Sequence, residues 1–191
     1  MNATDTIWLI IKIAIGIYVL YSLFKPKFLR RMFASLSSVI YCQLSPEEIT
    51  IRNVKTGETI SEIPEVAIGT SPKKILAVGT DARQAAAKQP ADVVNPFAHP
   101  RSMVSDFTVA EQLLKHYLRR CRGNSFLSFA PVVVIHPLGK PAGGFTQVEN
   151  RAFREMALGA GASEVTVWNG QNLTDQEILS RRFPSGEGHW E

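Results

Sequence analysis

A glycine-rich loop at residues 139–144, with the sequence GKPAGG, is the segment of this chain that most resembles a phosphate-binding site. It leads into a predicted helix, and the backbone amides at the start of a helix bind phosphate groups well. The order G-x-x-x-x-G-K-[ST] that defines a phosphate-binding P-loop is missing, however. We therefore interpret the segment as a flexible surface loop rather than as a nucleotide cradle.

The two cysteines, Cys42 and Cys121, are the candidate nucleophiles of the chain. They do not form a C-x-x-C pair, and no Cys/His spacing suggests a metal site. Arg119 and Arg120 stand directly before Cys121 and would lower the pKa of its thiol. No base with a supporting acid accompanies the thiol, so we expect two reduced cysteines and no catalytic one.

Three histidines and one glutamate complete the set of candidate catalytic groups. The glutamate, Glu149, follows Thr146 in a T-x-x-E capping box, which explains its position structurally. None of the histidines has a Cys or Asp partner at ligand spacing, so hydrogen-bonded or surface roles are expected. They are His99, His116 and His136. The sequence therefore predicts no metal and no cofactor.

The elements that would position these residues form an α/β pattern. Three strand-like runs with short turns predict an antiparallel meander, which a helix–strand–helix–strand pattern follows. The apolar run at 131–135 is typical of a strand buried in a parallel sheet. Helices then cover the faces of the sheet. The predicted strands span 39–44, 49–54, 59–68, 75–78, 131–135 and 164–168, with a short strand-like core at 93–94; the predicted helices span 81–88, 146–158, 174–182 and a long segment from Asp106 or Thr108 to Arg122.

Residues 7–24 form an apolar run of 18 residues that only Lys12 interrupts. A membrane-spanning helix needs about 20 mostly apolar residues. A basic cluster follows the run, and the positive-inside rule then places the N-terminus outside and residues 25–191 in the cytoplasm. Residues 1–31 are predicted to be a single-pass anchor whose basic cluster meets the anionic surface of the lipid bilayer. The cluster comprises Lys25, Lys27, Arg30 and Arg31.

Two other interpretations of the apolar run are a cleaved signal peptide and a buried core helix. A signal peptide carries its positive charges before the apolar stretch and small residues after it, whereas here the charges follow. A core helix is usually shorter than this run. Lys12 would reach the outer interface by snorkelling or would pair with a partner in the membrane. The net charge of +4 is explained by the basic cluster, so nucleic-acid binding is not expected.

ILAVGTDARQ is similar to the pattern A-V-G-x-x-A-K-Q, and TQVENRAFREMALGAGASEVTVW is similar to T-x-V-E-R-R-A followed by A-G-A-x-x-V. Through these stretches the soluble part resembles the family of the bacterial actin homologue MreB, which determines rod shape. VVNPFAHPRSMVSDFTVAEQLLKHYLRR and NSFLSFAPVVVIHPLG match two further stretches in the same order. The resemblance is strongest over residues 75–167. It implies a truncated actin-like, ribonuclease H-like half-domain with a mixed sheet over residues 32–182, followed by a polar tail at 183–191.

The resemblance also locates a degenerate phosphate loop. The family sequence D-L-G-T-A-N-T aligns with residues 43–49, where Gln43 replaces the acid that organises the metal and Ser45 replaces the loop glycine. Pro46 removes a backbone donor. Two glutamates, Glu47 and Glu48, would repel phosphate. The family's second phosphate loop and adenosine pocket belong to its other half, which this sequence does not include.

The family's hydrolytic E-E-P motif falls on Asn169, Gly170 and Gln171, where no carboxylate remains. The resemblance therefore implies the fold but not ATP hydrolysis. We expect a non-enzymatic, membrane-anchored scaffold or adaptor linked to cell shape or another envelope assembly on the bacterial inner membrane, with an actin-like filament, an envelope protein or a further copy as partner. The alternatives are a nucleotide-dependent switch, formed by self-association or by pairing with a chain that supplies the second half, and a decayed gene product.

Overall fold

The computed structural model describes residues 8, 11–18, 21, 37–122, 129–139 and 144–184. The chain divides into two compact units, Met1–Ser37 and Ser38–Glu191. Within the first unit, residues 8, 11–18 and 21 are helical and their side chains are exposed. Among the described residues, no helix is both long enough and apolar enough to cross a membrane. The predicted span at 7–24 lies partly outside the described residues, and the basic cluster at 25–31 lies wholly outside them.

The second unit contains a five-stranded mixed sheet and a three-stranded antiparallel sheet. The strands are β1 (Val39–Leu44), β2 (Ile49–Asn53), β3 (Thr59–Glu62), β4 (Val66–Thr70), β5 (Lys73–Val78), β6 (Ala91–Val94), β7 (Val132–Pro137) and β8 (Glu164–Val167). Their order is β3-β2-β1-β7-β8 in the first sheet and β5-β4-β6 in the second. β1 pairs antiparallel with β2 and parallel with β7, and β7 pairs parallel with β8.

The described residues of the second unit form the helices α1 (Asp81–Lys88), α2 (Phe107–Arg122), α3 (Gln147–Gly159) and α4 (Asp175–Ser180). Asp106 caps α2, because its Oδ1 accepts a hydrogen bond of 3.0 Å from the backbone N–H of Val109. Thr146 and Glu149 form the predicted capping box at α3. The positions of the four predicted helices and of the meander β1–β2–β3 are thus confirmed.

The central strands β1 and β7 are buried because helices or a chain segment cover both faces of the larger sheet. One face carries Ile40, Cys42, Val133 and Ile135, which pack in a core with α2 and α3. The opposite face carries a smaller cluster that the segment after β8 covers. Its buried members are Tyr41, Val54, Val134, Trp168, Leu173 and Ile178.

One predicted strand is wrong. Residues 59–68 were expected to form a single strand, but β3 ends at Glu62 and β4 begins at Val66 in the other sheet. Pro64 lies between them, and a proline has no N–H to donate to a sheet ladder. The apolar pattern of Val66–Ile68 continues that of β3, so the residue pattern alone does not reveal the change of sheet.

Candidate functional site

The turn between β1 and β2 contains the degenerate phosphate loop. Ser45 closes it: its hydroxyl accepts the backbone N–H of Glu47 at 3.2 Å and that of Glu48 at 3.0 Å. The backbone N–H of Ser45 in turn donates to the carbonyl of Glu48 at 2.9 Å. The backbone amides of Glu47 and Glu48, which an open loop would present to phosphate, are therefore hydrogen-bonded within the turn. The side chains of both glutamates are exposed.

Pro46 is fixed from outside the turn. Its carbonyl accepts a hydrogen bond of 2.7 Å from the side-chain amide of Asn95, a residue just after β6. The carbonyl oxygen of Asn95 accepts from the hydroxyl of Ser105 at 3.3 Å. This chain of hydrogen bonds ties the turn to the segment that leads into α2, so the turn is held in its closed form by tertiary contacts as well as by Ser45.

The structure brings the two degenerate motifs together. Gln43, at the end of β1, donates a hydrogen bond of 2.9 Å from its side-chain amide to Asn172 Oδ1. Asn172 follows the Asn169–Gln171 segment that replaces the hydrolytic motif. The carbonyl of Gln171 accepts a 2.7 Å hydrogen bond from the indole N–H of Trp168. The hydrogen bonds at this place are thus made by amide, indole and carbonyl groups. None of the groups named here is a carboxylate.

A buried tyrosine–histidine pair lies beneath this contact. His136 Nε2 is 3.0 Å from the carbonyl of Gly170, which can only accept, so Nε2 carries the proton. The Tyr41 hydroxyl then donates to His136 Nδ1 at 2.5 Å, and its oxygen accepts the backbone N–H of Leu173 at 3.3 Å. The pair thus holds the segment 170–173 against the ends of β1 and β7.

The electrostatics keep this pair neutral. Burial lowers the pKa of His136 below its usual value, and the hydrogen bond to Gly170 opposes this shift only in part. Burial also raises the pKa of Tyr41. The Arg52 guanidinium lies 5.5 Å from the centre of the Tyr41 ring and forms an ion pair with Asp175 of α4. A neutral, fully hydrogen-bonded pair is suited to positioning a segment rather than to transferring a proton.

A cavity of about 350 Å³ opens beside the closed turn. Its floor is apolar and includes an aromatic stack in which the rings of Phe97 and Phe153 are 6.5 Å apart. His99 lies at its rim and is exposed, with Nδ1 accepting the backbone N–H of Arg101 at 3.2 Å. The lining also includes Ser45 and Ser102, so the cavity combines aromatic and polar groups.

The expectation for Cys121 is wrong. Arg119 and Arg120 were expected to lower the pKa of its thiol, but burial raises it to about 11. Cys42 is completely buried, and burial raises the pKa of its thiol as well. The neighbouring arginine side chains are exposed at the end of α2. Both cysteines are therefore inert core residues, because the thiolate is the reactive form.

The remaining predicted residues are spread over the fold. Of the glycine-rich loop, residues 140–143 lie outside the described residues, so its predicted flexibility is untested. Glu149 has a further role beyond its capping box, because its Oε1 accepts the backbone N–H of Met103 at 3.1 Å. His116 is exposed on α2.

Sequence reasoning missed Tyr41, Asn172 and the role of His136. A signal for His136 existed: it is a polar residue in the otherwise apolar run PVVVIHP. Buried polar side chains are nearly always hydrogen-bonded, so a partner had to be present. Tyr41 and Asn172 carried no comparable signal, because they contact their partners across 95 residues in one case and 129 in the other.

Comparison with known protein families gives a match to the family described as MreB/Mbl protein over residues 44–173. The cell shape-determining protein MreB of Escherichia coli (strain K12) is 41% identical over 96 residues, which are 50% of this chain and 26% of that protein. Cell shape-determining protein Mbl of Bacillus subtilis is 28% identical over 109 residues, or 57% of this chain and 31% of Mbl. The chain thus spans a quarter to a third of the length of these curated relatives.

Solved structures show the same fold. MreB5 of Spiroplasma citri bound to AMPPNP superposes with a TM-score of 0.55 at 21% identity, covering 69% of this chain and 38% of the other. A non-polymerising MamK mutant bound to AMPPNP gives a TM-score of 0.56 at 15% identity, covering 70% and 41%. At these identities the likeness concerns the fold alone. The α/β class with a mixed sheet, and the resemblance on which it rested, are confirmed for the second unit.

Proposed function

The chain belongs to the MreB/Mbl protein family, and from this premise we propose that it is a membrane-anchored, non-enzymatic scaffold or adaptor of the cell-shape cytoskeleton. The observation that carries the proposal is the closed turn at Ser45. Its hydroxyl binds the backbone amides of Glu47 and Glu48, so a nucleotide phosphate would have to displace these bonds while it approaches two carboxylates.

The second motif supports the same conclusion. Hydrolysis of a phosphoanhydride needs a group that positions the attacking water. Here the segment Asn169–Gln171 is turned toward Trp168 and His136 by hydrogen bonds of its own carbonyl groups. Gln43 uses its amide on Asn172. Each of these groups stabilises the fold of the site, which supports a structural role.

The first unit supports membrane anchoring. Its sequence at 7–24 is apolar, and its described residues are helical with exposed apolar side chains, among them Ile13, Ile17 and Tyr18. An exposed apolar helix followed by a basic cluster is typical of a bilayer-embedded segment. We therefore propose an anchor in the bacterial inner membrane, with the second unit in the cytoplasm.

The second unit carries exposed arginines near the point where the chain enters it. Ser38 begins this unit, and its carbonyl accepts the backbone N–H of Val132 at the start of β7. The carbonyl of Cys121 in the last turn of α2 accepts from Asn53 at the same ends of the sheet. Arg119 and Arg120 in that turn are exposed, and Arg120 is 4.0 Å from a carboxylate oxygen of Glu62. Exposed arginines at this place suit an anionic lipid surface.

The alternative function is a nucleotide-dependent switch, formed by self-association or with a chain that supplies the rest of the fold. The observation in its favour is an open surface at the carboxyl ends of the parallel strands. At this edge the 350 Å³ cavity opens and the Leu138 side chain is 46% exposed. A second half could cover this edge, since exposed apolar surface commonly marks an interaction site. In that assembly the nucleotide would contact groups that this chain does not provide.

Calorimetry of the full-length chain in nanodiscs, with magnesium and millimolar ATP, tests the proposal. We expect no binding heat. A measurable affinity would overturn the nucleotide-independent assignment and favour the switch. In parallel, in vivo cross-linking followed by purification should recover an MreB-family filament or an envelope protein. If neither is recovered, the adaptor proposal loses its basis.

A further inference from the structure

Asn169 is the one asparagine of this chain that a glycine follows. The pair lies in the segment after β8, where Asn169 is half-buried and Gly170 is exposed in a bend. In the part of the chain that the structure describes, neither the side-chain amide of Asn169 nor the backbone N–H of Gly170 forms a hydrogen bond. Both groups that react when an asparagine deamidates are therefore available.

Deamidation at this pair needs no cofactor and no second protein. The backbone nitrogen of Gly170 attacks the side-chain carbonyl carbon of Asn169, a carbon–nitrogen bond forms, and the amide group leaves as ammonia with the proton of the Gly170 N–H. Water then opens the resulting succinimide at either of its carbonyl carbons, which gives aspartate or isoaspartate. Glycine favours the attack because it has no Cβ to obstruct it and a wide choice of backbone angles.

The main chain on both sides of the pair is anchored. Before it, the backbone N–H of Trp168 donates to the carbonyl of Ile135 at 2.8 Å. After it, the Gly170 carbonyl accepts from His136 Nε2 at 3.0 Å, and the Gln171 carbonyl accepts from the indole N–H of Trp168 at 2.7 Å. The attack requires rotation of the chain between these anchors, so it proceeds from a locally opened state of the segment.

The isoaspartate product is incompatible with the anchors. Its main chain runs through the former side-chain carbons, which adds one atom between Trp168 and Gly170. Because both residues are held by the hydrogen bonds just described, the longer chain cannot keep both contacts. Loss of the bond to Gly170 would also leave a buried imidazole N–H of His136 without its partner, which destabilises the fold.

We propose that Asn169–Gly170 is a deamidation site. The hydrogen bond from His136 to Gly170 controls its rate, and the isoaspartate product releases the segment 170–173 from the sheet. The reaction involves this segment alone, so the inference goes beyond the adaptor proposal and does not depend on it.

Incubation of the full-length chain in detergent micelles at mildly alkaline pH tests the site. Peptide mass spectrometry should show a gain of about 1 Da at Asn169, where OH replaces NH2, and a protein isoaspartyl methyltransferase should methylate the product. Asn95 is the internal control, because Pro96 has no backbone N–H with which to attack. Asn169→Gln should suppress the signal. If Asn169 keeps its amide while a synthetic peptide of residues 164–175 loses its own, the proposal is overturned.

His136→Leu tests the control of the rate. It removes the donor to the Gly170 carbonyl and should raise the deamidation rate about fivefold, through a larger population of the open segment. Tyr41→Phe, which removes the hydroxyl partner of His136, should act in the same direction and serves if His136→Leu does not fold by circular dichroism. His116→Leu, outside the segment, should leave the rate unchanged. A wild-type rate that equals the peptide rate, or that neither variant raises, overturns this control.

Thermal unfolding tests the release of the segment. The chain aged to a high isoaspartate content should unfold at a lower temperature than the fresh chain. Asn169→Asp carries the charge of the products without the extra main-chain atom, so it should unfold near the wild-type temperature. Equal unfolding temperatures of the aged and fresh chains would overturn the release. A fall in Asn169→Asp as large as that of the aged chain would also overturn it, because the added charge alone would then account for the effect.

Discussion

The side-chain amide of Gln43 donates a hydrogen bond of 2.9 Å to Asn172 Oδ1, and this contact joins two segments that lie 129 residues apart in the chain. In the family resemblance the same two regions supply a metal-organising acid and a hydrolytic acid. Here an amide–amide pair occupies the position, supported by the buried Tyr41–His136 pair. The site has the properties of a structural junction, and the following predictions test that interpretation.

Replacing Ser45 by alanine should destabilise the chain by about 1 kcal/mol. The hydroxyl bonds to Glu47 and Glu48 are lost, but the freed amides are near the surface and water compensates in part. Urea unfolding monitored by circular dichroism measures the change. Ser180→Ala is the control, since that hydroxyl makes one 3.3 Å hydrogen bond on an exposed helix and should matter less. Equal effects of the two substitutions would contradict the closed turn.

Stability should fall as the pH is lowered below the ordinary pKa of histidine, which is about 6.5. The unfolded chain then binds a proton at His136 that the folded chain does not, because burial lowers the folded-state pKa. The stabilising contribution of the neutral, buried His136 is present above about pH 6.5 and is lost as the pH falls through the folded-state pKa of this histidine.

Urea unfolding at about pH 7.5 and about pH 5 measures this loss. His136→Gln should reduce the pH dependence although it destabilises the chain at neutral pH. His116 also has a pKa lowered by burial, so His116→Gln serves as the comparison for a histidine outside the site. An unchanged pH dependence in His136→Gln would show that the imidazole is not held neutral.

Replacing Gly170 by alanine should cost about 1 to 3 kcal/mol of stability. The new Cβ would lie 2.5 Å from a ring carbon of Trp168, a fully packed side chain that has no room to shift. Gly139→Ala is the matched control, because its Cβ would meet the flexible end of Met103 at 2.9 Å. The thermal unfolding temperature should therefore fall further for Gly170→Ala than for Gly139→Ala. A larger fall for Gly139→Ala would argue against this packing.

Replacing Glu149 by alanine should cost about 2 kcal/mol, whereas Glu177→Ala should cost about 1 kcal/mol. Both carboxylates complete a capping box, at α3 and α4. Only the Glu149 carboxylate is also shown to accept the backbone N–H of another segment, at Met103. Denaturant unfolding of both variants gives the difference directly, and equal costs would mean that the Met103 contact adds nothing.

Local sequence patterns predicted the helices and most of the strands of the second unit. The helical periodicity of α2, the capping box of α3 and the apolar run of β7 located these elements to within one or two residues. The family resemblance added the expectation of a mixed sheet in an actin-like fold. These features are predictable because caps and periodicity depend on residues a few positions apart, whose contacts are fixed once the helix or strand forms.

Tertiary structure alone decided the rest. The sequence marked Gln43, Ser45 and Gly170 as replacements in two motifs, but it did not show that Ser45 closes its own turn or that Gln43 reaches Asn172. It placed residues 59–68 in one strand, while the fold divides them between two sheets. It suggested a lowered pKa for Cys121, while burial raises that pKa. Burial, long-range hydrogen bonds and the pairing of strands depend on segments far apart in the chain, and they exist only after the chain has folded.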